Sequence, residues 1–225
     1  IRKTMPEGDL YMEQNLQDIS DGRLYEWNDM VKVGCHDCIG CSECCRGMGQ
    51  SILLDPYDAY QLCSNLGKTF EELLQGPVEL HAEEGLILPN LRMAEGDACS
   101  FLSTEGRCSI HAFRPGICRL FPLGRNYTPE HLNYFLLLNE CPVKNKTKMK
   151  VGKWLANDDR KTYQQFLLDW HNLTKQVRAQ VTESLETPEM SRKITMAFLQ
   201  LFYIKPYGKT DFYAEFYERV KQISE

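Results

Sequence analysis

The spacing of apolar positions divides the chain into three regions. In the first, Met12, Leu16 and Ile19 fall on one helical face that Asp21-Gly22 would close. Asp55-Pro56 reads as an N-cap followed by proline at the first helical position, with Gly67 as the stop and Tyr60, Cys63 and Leu66 at helical spacing. Thr69-Phe-Glu-Glu72 is a capping-box pattern that opens a short helix ending near Gly76. Val78–His81 and Leu86–Leu88 flank Glu84-Gly85, a hairpin whose second strand Pro89 keeps at an edge. A second hairpin-like unit joins 100–102 to 108–110 across Ser103–Arg107, and residues 132–138 read as a strand. The last third is helical over about 157–185, 188–204 and 210–223, with Leu167, Trp170, Leu173, Val177 and Val181 on one face. Thr187-Pro188 opens the second of these helices and Pro206-Tyr-Gly208 ends it.

This pattern predicts an α+β fold: a small irregular cysteine-cluster module with short β-hairpins, wrapped by N- and C-terminal helices. The expected organisation is an N-terminal arm over 1–34 packed on the core, a metal-binding module over 35–150, and a C-terminal helical extension over 151–225. The lysines at 144–153 are expected to form a solvated connector. The aromatic series from Phe198 to Tyr217 is expected to be mostly core. Paired acids at Glu71-Glu72 and Asp158-Asp159 are expected at helix starts, where they favour the helix dipole.

Composition adds one thing to this picture. Charge is unremarkable: a net charge of -5 gives no global attraction to nucleic acid or anionic lipid. No apolar run reaches the roughly 20 residues of a membrane helix, and the first 30 residues show no signal-peptide pattern. The ten cysteines, however, are clustered. Cys35, Cys38, Cys41, Cys44 and Cys45 fall within one short run carrying Gly34, Gly40 and Gly47, where backbone can wrap closely around a centre. Cys99, Cys108, Cys118 and Cys141 follow at spacings too wide to form a site locally. C-x2-C steps let several thiolates converge on one ion or cluster, and such thiols persist in a reducing cytoplasm. Disulfides are the competing use of ten cysteines. Cys63 is expected in the core.

The chemistry of the centre stays open between two forms. Cys35-x2-Cys38-x2-Cys41-x3-Cys45 has the spacing of the bacterial ferredoxin run, but Arg46 stands where that run has proline. Glycine-flanked, closely spaced cysteines favour a [4Fe-4S] cluster. The alternative is structural zinc, with His111 as a conceivable fourth ligand. Arg46, Arg114, Arg119 and Arg125 lie close to cysteines in sequence and would offset the negative charge of a tetrathiolate centre. Arg119, next to Cys118, is the expected partner. Cys44 and Cys45 are expected to face different ways. No G-x-S-x-G, P-loop or HExxH is present.

Cys38-Ile-Gly-Cys41-Ser-Glu-Cys44-Cys45-Arg46, Asp55, Cys99-Ser-Phe-Leu102, Gly106-Arg-Cys108-Ser-Ile-His111, Arg114-Pro115-x2-Cys118-Arg119-x-Phe121-Pro122 and Asn139-Glu-Cys141-Pro142 together resemble the YkgJ-type cysteine-cluster family, described as zinc- or iron-chelating with a CxxCxxCC signature. The resemblance implies that Cys38, Cys41, Cys44, Cys45, Cys99, Cys108, Cys118 and Cys141 are the metal-binding set. Cys35 and Cys63 lie outside the family pattern. Flagellin lysine methylases carry a related domain, which would imply an Fe–S cluster and S-adenosylmethionine. This chain has no glycine-rich nucleotide loop of its own. Two function classes follow: a cluster with a redox or methyl-transfer role, or a structural-zinc binding module. The partner is expected to be an unidentified protein or small molecule, not a nucleic acid or a membrane.

Overall fold

The computed structural model describes residues 16, 18–35, 41–155, 159–183, 188–208 and 211–224. Among these residues its architecture is α+β, built from four antiparallel strand pairs and a helical tail. Strand β1 (Met30–Gly34) pairs with β8 (Thr147–Lys150), β2 (Val78–Glu83) with β3 (Leu86–Leu91), β4 (Met93–Ala94) with β5 (Ala98–Cys99), and β6 (Leu123–Tyr127) with β7 (Leu132–Leu136). Each pair alone is too small to be stable. All depend on the core they share with the helices.

The local signals at the start of the module act as expected. Helix α1 (Pro56–Leu66) is capped by Asp55, and Gly67 closes it in the left-handed region at φ 64°. The cap carries a feature beyond the Asp-Pro signal. The carboxylate of Asp58, at the third helical position, accepts in return from the Asp55 N–H, completing a capping box. Thr69 and Glu72 form a second box on α2 (Phe70–Leu74). The β2–β3 hairpin turns through Glu84 and Gly85, both at positive φ. The backbone over 52–54 then runs alongside β3, with Leu54 N–H donating to the Pro89 carbonyl at 2.9 Å and Leu91 N–H to that of Ile52 at 3.0 Å.

Three expectations change. Part of the lysine-rich stretch is β8 and the short helix α4 (Val151–Leu155), not a solvated connector. Its lysines alternate with Thr147, Met149 and Val151, and that alternation pairs it with β1 and brings the end of the arm into a sheet. The pair β4–β5 was not expected, and the unit beyond it is reduced to a single Leu102–Cys108 bridge. Residues 132–136 do form a strand, but its partner β6 follows directly from the Cys118 helix. Of the N-terminal helix, Leu16 and Ile19 stand in a helical turn and Met12 lies outside the described residues. Asp159 caps the start of the long tail helix, and Asp158 lies outside the described residues.

The tail consists of α5 (Arg160–Glu183), α6 (Pro188–Leu199) continued by a π turn (Gln200–Ile204), and α7 (Phe212–Ser224). Phe166, Trp170, Phe198, Phe202, Phe212 and Phe216 pack edge-on and tilted into one aromatic core. Burial of six such rings is a large hydrophobic contribution. Arg219, 1% exposed, reaches from α7 to the carbonyls of Leu201, Lys205 and Pro206 and satisfies the acceptors that the π turn leaves unpaired. Tyr203, on the π turn, donates to the Leu54 carbonyl at 2.8 Å and fastens the tail to the residue before the α1 cap.

Gly152, in α4, lies against Trp27, and a Cβ there would overlap the indole. Gly152→Ala is expected to lower unfolding stability by about 1–3 kcal/mol through overpacking, measured by urea denaturation. Lys153→Ala, on the exposed neighbour, should change it little.

Candidate metal centre

Three separate segments bring thiols to one place. The first is the end of the cysteine run. A 3-10 turn (Glu43–Cys45) carries Cys44 and Cys45, and Arg46 N–H closes it on the Glu43 carbonyl. This loop is pinned to the β4–β5 turn by Gly47 N–H donating to the Asp97 carbonyl at 2.8 Å and by the Arg46–Ala98 bridge. The second segment supplies Cys99, on β5, and Cys108, paired with Leu102 after the Ser103–Arg107 turn. The third is the short helix α3 (Gly116–Leu120), which carries Cys118.

Cys41, Cys44, Cys45, Cys99, Cys108 and Cys118 all border one cavity of about 50 Å³. Its remaining wall is largely apolar, with Met48, Ile52, Leu91 and Ile110 among the lining residues. No disulfide joins any two of the described cysteines. Among the described residues, no set of three His, Cys, Asp or Glu side chains forms a ready-made single-ion site. The thiols surround a void and do not meet at a point.

The electrostatics follow from this crowding. Cys45 is pushed up first by its hydrogen bond with the Cys44 thiol, then by burial and by the charges of Cys44, Cys108 and Cys99. Burial raises Cys118 well above an ordinary thiol, and Asp58, Cys99, Cys44 and Cys108 add to it. Cys99 is raised by burial and by Cys108 and Cys44. Cys108 is raised by burial, opposed by the Ile110 amide and the Arg114 guanidinium. Thiols that raise one another in this way cannot all ionise without a cation among them. A metal bound here would displace their protons.

The sequence-predicted residues fall out as follows. Cys44 and Cys45 border the same cavity within hydrogen-bond reach of each other, against the expectation that they face apart. The tight turn sets both along one wall. Cys38 lies outside the described residues. Cys141 is not part of this wall. It sits in the loop between β7 and β8, its carbonyl accepting from Lys146 Nζ at 2.9 Å. Cys35 is buried at the end of β1. Cys63 packs half-buried against the hydrophobic core, away from the cavity, its thiol pushed up to about 11 by burial.

The arginines also redistribute. Arg119 turns away from the thiols: its Nη2 donates to the Tyr163 hydroxyl at 3.3 Å, as does Arg125 Nη2 at 3.3 Å. Arg46 donates to Ser42 Oγ on its own loop. Arg114 is the one that lines the cavity with a buried Nε that has no hydrogen-bond acceptor, while its Nη1 bonds His111 Nε2. A buried donor left without a partner costs about 1–3 kcal/mol. Thiol donors and an unspent guanidinium N–H on an apolar wall fit an anionic, cysteine-ligated centre.

Sequence reasoning missed Asp58. Its carboxylate accepts from Gly116 N–H at 2.8 Å and so joins the α1 cap to the helix bearing Cys118. Gly116 admits this approach because a Cβ there would crowd the Tyr163 hydroxyl and Arg125. The signal was available in Asp55-Pro-Tyr-Asp58, an acid at each end of a capping box.

A cavity lined by thiols on an α+β scaffold of short hairpins defines a cysteine-rich metal-binding domain. A family model described as "Putative zinc- or iron-chelating domain", with the signature CxxCxxCC, matches residues 37–148, and through this segment the chain belongs to that family. No curated protein and no solved structure matches the chain. No helix among the described residues is long and apolar enough to cross a membrane.

Asp58 is pushed up to about 8, chiefly by burial and then by the neighbouring Asp55 carboxylate. The folded chain therefore keeps a proton that the unfolded chain releases near 3.8. Raising pH through that window favours unfolding. Stability is expected to fall from about pH 4 to about pH 8, and Asp58→Asn should flatten that slope. Chemical denaturation across this range measures both.

Proposed function

We propose that the chain holds a cysteine-ligated [4Fe-4S] cluster and uses it in a redox or cluster-assisted role. The convergence of six thiols, from three segments of chain, on one cavity carries this reading. We assign metal binding to Cys38, Cys41, Cys44, Cys45, Cys99, Cys108, Cys118 and Cys141, four of which hold one cluster. Fe–S clusters are held by cysteine thiolates, and surrounding apolar residues and N–H donors tune them. Distant resemblance to flagellin lysine methylases makes methyl transfer one form that a cluster-assisted role would take, with an unidentified protein or small molecule as partner. A reducing compartment such as the cytoplasm suits a cluster of metal-binding thiols.

The alternative is structural zinc in a binding or adaptor module without catalytic activity. Its specific support is His111, which borders the cavity and would give a three-cysteine, one-histidine set.

Anaerobic purification is expected to yield a brown protein with iron and acid-labile sulfide in equal amounts and broad visible absorbance. A colourless protein carrying stoichiometric zinc, with neither iron nor sulfide, would establish the alternative instead. Cys99→Ser and Cys118→Ser should lower bound metal at least about tenfold, a loss at the low end of what even supporting residues produce. Cys63→Ser should retain all of it. If Cys44→Ser also keeps full metal, Cys45 is the ligand of the pair.

A further inference from the structure

The four arginines near the cysteine motifs do different jobs. Arg119 and Arg125 both donate to Tyr163 and brace the tail, and Arg46 holds its own loop. Arg107 also lines the cavity but is exposed, so water screens it. Arg114 alone combines a place on the cavity wall with a buried Nε that lacks an acceptor.

Its backbone is held on both sides. A 3-10 turn (His111–Phe113) precedes it, closed by Phe113 N–H donating to the Ile110 carbonyl at 3.0 Å. Buried Pro115 follows and keeps Arg114 extended at φ -59° and ψ 151°. The side chain thus springs from the short link between the segments carrying Cys108 and Cys118. Its guanidinium is close enough to Cys108 to favour that thiolate. Nη1 is occupied by His111 Nε2, which must be the unprotonated ring nitrogen to accept it. One N–H direction is thereby spent, the fork is oriented, and Nε–H remains.

We propose that Arg114 donates its Nε–H to a sulfur of the metal centre held in this cavity, and that this bond and its charge set the centre's reduction potential. The inference rests on the metal-centre reading given above. The donor is a guanidinium, which stays charged at any working pH and presents N–H groups in a fixed plane. Hydrogen bonds to the sulfurs of a cluster, together with its net charge and exposure, are the means by which a protein sets its potential. Arg114 supplies the first two, and His111 acts through it as the residue that fixes its orientation.

The test uses the full chain, purified anaerobically, with R114M, R114Q and R114K beside R107Q. Optical redox titration is expected to show R114M and R114Q shifted about tenfold toward the oxidised state, which is about 59 mV for one electron. R114K should recover part of that shift by restoring charge without the planar donor. R107Q, an equal charge loss at an exposed position, should shift much less. If the bound metal is zinc, the readout is the chelator concentration that removes half of it, expected about tenfold lower for R114M than for the natural chain. A loaded natural chain and an equally loaded R114M with the same potential, or the same zinc retention, would overturn the role of Arg114 and leave the metal centre standing. A natural chain without iron or zinc would overturn both. If all three Arg114 variants lose metal and native circular dichroism together, Arg114 is structural and the inference fails.

Discussion

The hydrogen bond from Gly116 N–H to the buried Asp58 carboxylate is the contact on which the arrangement of the cavity depends. It crosses 58 residues of sequence and joins the first turn of α1 to the first residue of α3. Asp58 is already committed to the Asp55 amide, so the carboxylate serves the cap of α1 and the start of α3 together. A five-residue helix has almost no stability alone. Its entry, and hence the direction of Cys118, is fixed by an acceptor from a better-formed helix. The guanidiniums of Arg119 and Arg125 oppose, without cancelling, the rise that burial and Asp55 impose on the Asp58 carboxyl.

From this link the tail acquires a function in positioning. Tyr163, on α5, receives both arginines, and Tyr57, on α1, lies between Tyr163 and Tyr213. Tyr203 holds the Leu54 carbonyl just before the Asp55 cap. The aromatic core of α5, α6 and α7 therefore does more than bury area. It presents a rigid floor to the α1 cap, and the cap holds the helix that bears a cavity thiol.

Legibility followed the range of the interactions. Caps and turns set by two to four residues, such as Asp55-Pro56, Thr69–Glu72 and Glu84-Gly85, were visible because their donors and acceptors are local. The tail helices were visible because their apolar faces repeat over many turns. The pairing of β1 with β8 was not, since its partners lie more than a hundred residues apart and neither strand is strongly apolar. The thiols were legible as residue types, and Cys99, Cys108 and Cys118 border the cavity beside Cys41, Cys44 and Cys45. Which arginine faces them was not. Adjacency to Cys118 pointed to Arg119, but a residue next to another on a helix points about a third of a turn away. Arg114, four positions earlier across a proline, is returned to the cavity by the turn before it.

Helix α4 bears a further consequence through Trp154. Its indole Nε1 donates to the Leu120 carbonyl at 3.3 Å, at the end of the helix that carries Cys118. An intrinsic fluorophore is thus attached by its polar edge to one wall of the cavity. Indole emission responds to the field and hydrogen bonding at that edge, so the protein carries a built-in optical reporter of the helix on which Cys118 sits.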